Sequence, residues 1–324
     1  MQPERRAVID IGTNSVKLLV ADILGQRVRP IREQSKQTRL GSGFYQRRML
    51  QSGAIAATAS AVASFADEAR ADRAASIRIF ATSAARDAAN AQELTEAIER
   101  ACALKVEVIS GEQEADWVFA GVAADGRFAD RRLLLLDVGG GSTEFILGQD
   151  KHKDFRASFP LGSVRLFEQL PHSDPPKAEE LAACRQWLSR FLATEVHPLL
   201  ESAGVRPPGP GASGTDQSVL LVGTGGTATI LARLENQMED YDRERIEATR
   251  LSIERVRWHT EHLWSLPLAE RQNLIGLPKN RADIILPGVA IYEAIMEQFG
   301  FPELLISTRG LRFAAVIDVS ENRK

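Results

Sequence analysis

The stretch Asp10-Ile11-Gly12-Thr13-Asn14-Ser15 decides the fold, because nearly the same stretch recurs as Asp137-Val138-Gly139-Gly140-Gly141-Ser142-Thr143. Each copy follows a short apolar run, residues 7–9 and 133–136, and precedes a second one. An apolar strand, a glycine-rich turn and another apolar strand are therefore predicted at both places. The sequence predicts the same β-hairpin twice.

Both turns have the composition of a phosphate-binding loop. Glycine lets the backbone approach an anion closely and leaves its N–H groups available as donors, while Ser, Thr and Asn side chains add neutral donors. An aspartate at the end of the strand, Asp10 or Asp137, is well placed to hold Mg²⁺ against the same phosphates. The candidate phosphate-binding residues are Gly12, Thr13, Asn14, Ser15, Gly139, Gly140, Gly141, Ser142 and Thr143.

Composition favours a soluble enzyme. The 324 residues are enough for two domains, and 44% hydrophobic content can supply a core for each. No apolar stretch has the length of a membrane helix and no export signal is visible at the amino end, so no membrane partner is expected. The isolated cysteines, Cys102 and Cys184, match no metal or redox motif and favour the cytoplasm.

A nucleic-acid partner has little support. The net charge is −3, and the aromatic residues are not interleaved with basic ones.

Strand and helix patterns alternate along the chain, which predicts the α/β class. Residues 121–132, with Asp125-Gly126, have the composition of a connector, so we expect one domain at 1–124 and a second at 125–324. The Pro- and Gly-rich stretch 207–211 is predicted to be a surface loop.

Arg86 follows the predicted strand at 77–80, within the segment 81–88. Ligands of open α/β sheets lie at the carboxyl ends of strands, so the planar guanidinium of Arg86 could reach phosphate oxygens there. The alternative is a local ion pair at a helix end, with Asp87 or Glu93 as the partner.

A second strand–turn–helix segment, 109–115, contains two acids near a helix start. Glu112 is expected to interact with the helix dipole. Glu114 could project toward a ligand, where it could orient or deprotonate a water molecule.

A third segment, Gly223-Thr224-Gly225-Gly226-Thr227, places glycines at a helix start and suggests an anion site. The phosphate-loop pattern G-x-x-x-x-G-K-[ST] is absent, and no G-x-G-x-x-G follows a strand.

Taken in order, these motifs resemble the exopolyphosphatase and guanosine pentaphosphate phosphohydrolase (Ppx/GppA) family across essentially the whole chain. The set also includes Leu161-Gly162-Ser163, Arg281-Ala282-Asp283 and Gly288. The resemblance implies two RNase H-like domains of the actin, Hsp70 and sugar kinase superfamily, with phosphates held in an interdomain cleft. It also implies a short form, since long members continue into an HD-type helical domain.

The resemblance assigns roles to individual residues. It implies that Glu114 is the catalytic glutamate, that Arg86 contacts phosphate, and that the two loops bind phosphate. Asp10, Asp137 and Glu144 match acidic positions around Mg²⁺, with Mn²⁺ as the alternative cation.

The expected activity is hydrolysis of the terminal phosphoanhydride of inorganic polyphosphate. Three alternatives remain open at this point: conversion of pppGpp to ppGpp, hydrolysis of a nucleoside triphosphate, and a non-catalytic actin-like ATP-binding scaffold. A homodimer also remains open.

Overall fold

The structure is a computed structural model that describes residues 2–205 and 219–318, so the loop predicted at 207–211 lies outside the described residues. The chain divides into two compact units. Unit 1 comprises Met1–Ala124 and Arg309–Lys324, and unit 2 comprises Asp125–Thr308.

Unit 1 contains a five-stranded sheet with helices. Its elements are β1 (Glu4–Ile11), β2 (Ser15–Leu24), β3 (Arg27–Gln37), α1 (Phe44–Arg47), α2 (Ser52–Ala71), β4 (Ser76–Ala81), α3 (Ser83–Asp87), α4 (Ala91–Cys102), β5 (Val106–Val108) and α5 (Gly111–Ala123), followed near the chain end by α14 (Leu311–Ala315). The strand order is β3-β2-β1-β4-β5. β1 pairs antiparallel with β2 and parallel with β4, and β4 pairs parallel with β5.

The core of unit 1 lies between this sheet and the helices α2 and α4. Alternate residues of β1, Ala7, Ile9 and Ile11, are buried in one cluster with Val62 and Leu94 from the two helices. This alternation is the period of a strand with one face turned toward a core.

An ion-pair network links the first three strands of the same sheet. Asp22 on β2 accepts hydrogen bonds from Arg5 and Arg29, each at 2.8 Å. These two partners lower the pKa of Asp22 to about 2.

Unit 2 contains a six-stranded sheet. Its strands are β6 (Arg132–Val138), β7 (Thr143–Gln149), β8 (His152–Phe159), β9 (Val219–Thr224), β10 (Arg250–Ser252) and β11 (Glu303–Ile306). Its helices are α6 (Ser163–Gln169), α7 (Ala178–Phe191), α8 (His197–Ser202), α9 (Gly225–Glu235), α10 (Arg243–Ala248), α11 (Ile253–Ser265), α12 (Leu268–Arg271) and α13 (Ile285–Phe299). A π-helical turn, Leu192–Val196, joins α7 to α8.

The strand order of unit 2 repeats that of unit 1. It is β8-β7-β6-β9-β11, with β10 added at the outer edge. The pairing senses are the same, because β6 is antiparallel to β7 and parallel to β9, and β9 is parallel to β11. The duplicated sequence therefore corresponds to a duplicated topology, and both predicted hairpins, β1–β2 and β6–β7, are present.

The predicted second domain, 125–324, is wrong for its last residues, because the segment from Arg309 belongs to unit 1. Helix α14 packs on α5, and a Cβ added to Gly121 would lie only 2.4 Å from the carbonyl oxygen of Gly310. Arg312 also donates to the carbonyl of Leu18 on β2 at 3.0 Å. Tertiary packing therefore places the segment from Arg309 onward in unit 1.

None of the helices within the described residues combines the length and the apolar character needed to cross a bilayer.

Candidate active site

Loop 1, residues Gly12–Ser15, connects β1 to β2. The N–H of Gly12 donates to the carbonyl of Ser15 at 3.0 Å and closes the turn. The carbonyls of Thr13 and Asn14 accept from backbone N–H groups of residues 38–41 at 2.7–3.1 Å. The carbonyl side of these two peptide groups is therefore already used inside unit 1.

Loop 2, residues Gly139–Ser142, connects β6 to β7 in the same way. The N–H of Gly139 donates to the carbonyl of Ser142 at 2.9 Å. The carbonyls of Gly139 and Gly140 accept from the N–H groups of residues 163–165, at the start of α6, at 2.8–3.0 Å. A different segment of the chain thus performs in unit 2 the task that residues 38–41 perform in unit 1.

The N–H groups at the centre of each loop do not take part in these backbone hydrogen bonds. Among the residues that the structure describes, the N–H groups of Thr13, Asn14, Gly140 and Gly141 donate to no backbone carbonyl. The side chain of Asn14 adds a buried Nδ2 without a partner, while its Oδ1 accepts from Gln37 at 3.1 Å. Donors without acceptors suit an anion such as phosphate.

Three groups that were predicted to contact phosphate donate hydrogen bonds to the protein itself instead. The N–H groups of Gly12 and Gly139 close their own turns. The hydroxyl of Thr143, which is fully buried in β7, donates to the carbonyl of Leu161 at 2.6 Å. The available backbone donors are those at the centres of the two loops.

The two hairpins differ at the position opposite the strand-end aspartate. In unit 1, Asp10 pairs in register with Lys17, whose Nζ lies 3.9 Å from Oδ2 of Asp10. Burial raises the pKa of Asp10, and the charges of Lys17 and Arg312 oppose that rise. In unit 2 the same register pairs Asp137 with Glu144. Unit 1 therefore supplies its own cation at this position, whereas unit 2 places two acids opposite each other.

This difference bears on the predicted metal ligands. Within residues 2–205 and 219–318, no three His, Cys, Asp or Glu side chains form a group that could hold a metal ion. Asp137 and Glu144 fit a cation that takes its remaining ligands from phosphate and water, as Mg²⁺ commonly does. Ser158 donates to Oε1 of Glu144 at 2.7 Å and orients it. Asp10 lies in unit 1 and already faces Lys17.

Arg86 and Glu114 form an ion pair that sequence reasoning missed. Nη1 of Arg86 donates to Oε2 of Glu114 at 2.9 Å and to the carbonyl of Ile109 at 3.3 Å. The local partner considered for Arg86, Asp87, lies 4.0 Å from its Nε. Glu114 is only 8% exposed. The pair therefore fixes the orientation of a largely buried carboxylate.

The sheet topology explains why these groups meet. β1, β4 and β5 are adjacent and parallel, so loop 1, α3 with Arg86, and α5 with Glu114 all follow carboxyl ends at one edge of the sheet. Ser110 caps α5 by accepting from the N–H of Gln113 at 3.1 Å. The cap fixes where α5 begins and thus where Glu114, in its first turn, is placed.

The third glycine motif packs against Asp137 in unit 2. Gly225 has φ +83°, a conformation that favours glycine, and a Cβ there would lie 2.2 Å from Oδ1 of Asp137. Asp137 also pairs in register with Thr224. The motif therefore makes room for the Asp137 carboxylate at the start of α9.

With this geometry described, comparison with known proteins identifies the family. The model of the Ppx/GppA phosphatase family matches residues 19–322. The chain belongs to the Ppx/GppA phosphatase family. It is therefore a phosphatase with the two-domain RNase H-like fold that the family resemblance implies.

Individual relatives agree with the family match. The chain is 30% identical to Exopolyphosphatase 2 of Mycobacterium tuberculosis, over 94% of this chain and 94% of that protein. It is 29% identical to the crystal structure of the Aquifex aeolicus Ppx/GppA family member, with a TM-score of 0.77 and 97% of each chain covered. An exopolyphosphatase structure from Cytophaga hutchinsonii, at 24% identity, shares the fold with a TM-score of 0.84 and 96% of each chain covered.

Sequence reasoning also missed two residues of this Ppx/GppA phosphatase that support the glycine-rich segments. Tyr292 on α13 donates to the carbonyl of Thr224 at 3.2 Å, and burial together with the nearby charge of Asp137 raises its pKa. Arg165 donates to the carbonyl of Gly141 at 2.7 Å. Neither residue stands out in the sequence, whereas Lys17 could have been found by aligning the two hairpins with each other.

Proposed function

We propose that this Ppx/GppA phosphatase hydrolyses the terminal phosphoanhydride of inorganic polyphosphate and releases phosphate. The observation that carries the proposal is the repeated loop, in which carbonyls are bound and central N–H groups are left as donors. Such donors bind phosphate oxygens regardless of what the phosphate is attached to. Polyphosphate is the substrate we favour because two mycobacterial relatives are named exopolyphosphatases.

Phosphate binding is assigned to both loops. The N–H groups of Thr13, Asn14, Gly140 and Gly141 would donate to phosphate oxygens, with Nδ2 of Asn14 as an additional donor. Preorganised donors of this kind stabilise charge that develops in the transition state.

Glu114 is proposed as the general base. A water molecule attacks the terminal phosphorus, Glu114 accepts the proton of that water, and the bond to the bridging oxygen breaks with its electron pair on the shortened chain. Arg86 keeps Glu114 in one orientation through the 2.9 Å bond. Its remaining N–H groups would donate to phosphate.

A divalent metal is general in exopolyphosphatases of this family, and we propose Mg²⁺, with Mn²⁺ as the alternative. Asp137 and Glu144 would hold it, and when bound it would neutralise phosphate charge. Asp10, the third predicted ligand, already faces Lys17 within unit 1, so we assign it no direct contact with the metal.

The cytoplasm is the proposed site of action. Cys102 and Cys184 are both free and buried, which agrees with a compartment that keeps thiols reduced.

The test compares phosphate release from long polyphosphate, short polyphosphate, pppGpp and ATP in parallel, with Mg²⁺. We expect polyphosphate to give the highest kcat/KM. Glu114→Gln should lower kcat by about 10²–10⁴ while leaving KM nearly unchanged, since general-base catalysis is typically worth that factor.

The matched control is Glu112→Gln, which removes an exposed acid from the same helical turn. We expect it to retain wild-type kcat. A higher kcat/KM for pppGpp would replace the proposed substrate, and ATP binding without phosphate release from any of the four would favour a scaffold. Normal turnover by Glu114→Gln would refute the role of Glu114.

A further inference from the structure

Unit 1 carries a basic stretch that runs from the end of β3 to the end of α1. Residues 34–66 include four basic side chains, Lys36, Arg39, Arg47 and Arg48, and no aspartate or glutamate. Lys36, Arg47 and Arg48 are exposed, and none of the three forms an ion pair with any residue that the structure describes. We call these three side chains the basic face.

Backbone hydrogen bonds hold the basic face beside loop 1. The N–H of Gly41 donates to the carbonyl of Thr13 at 2.7 Å, and α1, which follows, is only about 6 Å long. At the end of α1, the carbonyl of Arg48 accepts from the N–H of Ala89, just after α3, at 3.0 Å. Lys36 is the next-to-last residue of β3, whose end pairs with the start of β2. The three side chains therefore lie on unit 1 at the sheet edge that also carries loop 1 and α3.

The acids on neighbouring elements do not balance this charge. Asp87, the last residue of α3, lies 4.0 Å from Nε of Arg86. Glu33 on β3 lies 3.5 Å from Arg312, and Glu93 on α4 accepts from a neighbouring asparagine at 3.3 Å. The basic face therefore presents three exposed positive charges that no described acid meets at ion-pair distance.

A chain of closely spaced negative charges fits this face. Every phosphate of inorganic polyphosphate is charged, so a chain whose end lies at loop 1 has further charges beyond that loop. Ammonium and guanidinium groups pair well with phosphate oxygens. A short polyphosphate has few phosphates beyond the loop, and pppGpp presents a nucleoside after its phosphates. Long polyphosphate is the substrate that can use all three charges.

We propose that the basic face binds the part of a polyphosphate chain that follows its terminal phosphates, and that it makes the enzyme prefer long chains. This role rests on the proposed function, but it concerns which chains are bound and not how the bond is cleaved. Arg47 and Arg48 contribute affinity through their charge. They therefore lower KM for long chains and leave the chemical step at Glu114 unchanged.

The test is the double variant Arg47→Gln/Arg48→Gln, assayed by phosphate release from long polyphosphate and from tripolyphosphate. Glutamine removes both charges and keeps each Cβ, so the left-handed backbone at Arg48, φ 53°, is strained to the same degree. We expect KM for long polyphosphate to rise about 10-fold at unchanged kcat, since each exposed charge pair contributes a factor of up to about 5. KM for tripolyphosphate should stay the same, and added salt should reduce the difference between the two proteins.

Two control variants separate a local charge effect from a general one. Arg47→Lys/Arg48→Lys keeps both charges and should keep KM near the wild-type value. Arg27→Gln removes an exposed arginine, also without an ion pair among the described residues, from the end of β3 that lies away from loop 1, and should leave KM unchanged. An unchanged KM for long polyphosphate in the double glutamine variant, or an equal rise with tripolyphosphate or in Arg27→Gln, would overturn the proposal.

Failure of the proposed function gives a different result. If wild type released no phosphate from any polyphosphate, the proposed function would be wrong, and binding would then decide the role of the basic face. Fluorescence anisotropy of end-labelled long polyphosphate measures the Kd of the full chain without turnover. A Kd about 10-fold higher for the double glutamine variant would support the basic face as a polyphosphate site, and equal Kd values would exclude it.

Discussion

Gly162→Ala tests whether loop 2 holds the substrate. Gly162 precedes α6 with φ −159°, an extended conformation that alanine adopts without strain. A Cβ there would lie 2.5 Å from the carbonyl carbon and oxygen of Gly140 and 2.6 Å from the nitrogen of Gly141, against 3.4–4 Å for an ordinary contact. Loop 2 must therefore shift by roughly 0.9 Å, which brings the shortest contact to the ordinary range.

The cost follows from the contacts that this shift disturbs. The Gly140 carbonyl accepts from the N–H groups of Val164 and Arg165 at 2.8 and 3.0 Å. At about 0.5–1.5 kcal/mol each, losing both bonds lowers the free energy of unfolding by about 1–3 kcal/mol, and weakening them lowers it by up to that amount. A displacement near 1 Å at a binding site can cost about 10² in rate. We therefore expect kcat/KM on polyphosphate to fall about 100-fold.

The assays are phosphate release and urea unfolding. The matched control is Gly126→Ala in the same unit, because a Cβ at Gly126 meets nothing within 4 Å. We expect it to retain both stability and kcat/KM. If Gly162→Ala lost stability as stated yet turned over polyphosphate at the wild-type rate, loop 2 would have no part in catalysis. If neither quantity changed, the close packing on Gly140 would be wrong.

Three further outcomes are expected. Arg86→Lys keeps the charge but loses the planar fork that orients Glu114, so kcat should fall by about 10–10² with a smaller change in KM, measured by steady-state kinetics. Glu144→Gln should raise the Mg²⁺ concentration needed for half-maximal activity by at least about 10-fold, measured by metal titration, and an unchanged requirement would remove Glu144 from the metal site. Asp22→Asn should lower the free energy of unfolding at pH 7 by about 1–2 kcal/mol, allowing for screening at its exposed arginine partners. Because the pKa of Asp22 is lowered to about 2 in the folded state, its stabilisation is complete above about pH 4 and is lost as the pH falls toward 2, so wild type and variant should converge in acid urea titrations.

The hairpins and their loops could be predicted from sequence because each depends on local signals. Apolar runs on either side of a glycine turn predict the strands. The repeat of Asp10 at Asp137 indicates that both halves of the chain contain the same hairpin. The two RNase H-like domains followed from the family resemblance, whereas the strand order β3-β2-β1-β4-β5 and its copy come from the structure. Local pattern and family knowledge together therefore predicted the fold class.

What escaped prediction depends on distant contacts. Arg86 finds Glu114, 28 residues further along, whereas sequence reasoning offered acids close by. Arg312 donates to the carbonyl of Leu18 on β2, which lies 294 residues earlier in the chain. No local pattern in α14 predicts this contact. Of the three predicted metal ligands, Asp10 lies in unit 1 and Asp137 and Glu144 lie in unit 2, and the cross-strand register that places Lys17 opposite Asp10 was not part of the prediction.

The bound carbonyls of the two loops determine how much freedom a substrate must remove. Residues 38–41 hold loop 1 and residues 163–165 hold loop 2, so the backbone of each loop is fixed before any phosphate arrives. Binding then requires little ordering of the chain, and more of the interaction energy is available as affinity. Substitutions in these supporting segments should consequently slow or weaken phosphate capture although the altered side chains never touch the ligand. Differences in phosphate affinity among relatives are therefore expected to depend on the supporting segments as well as on the loops themselves.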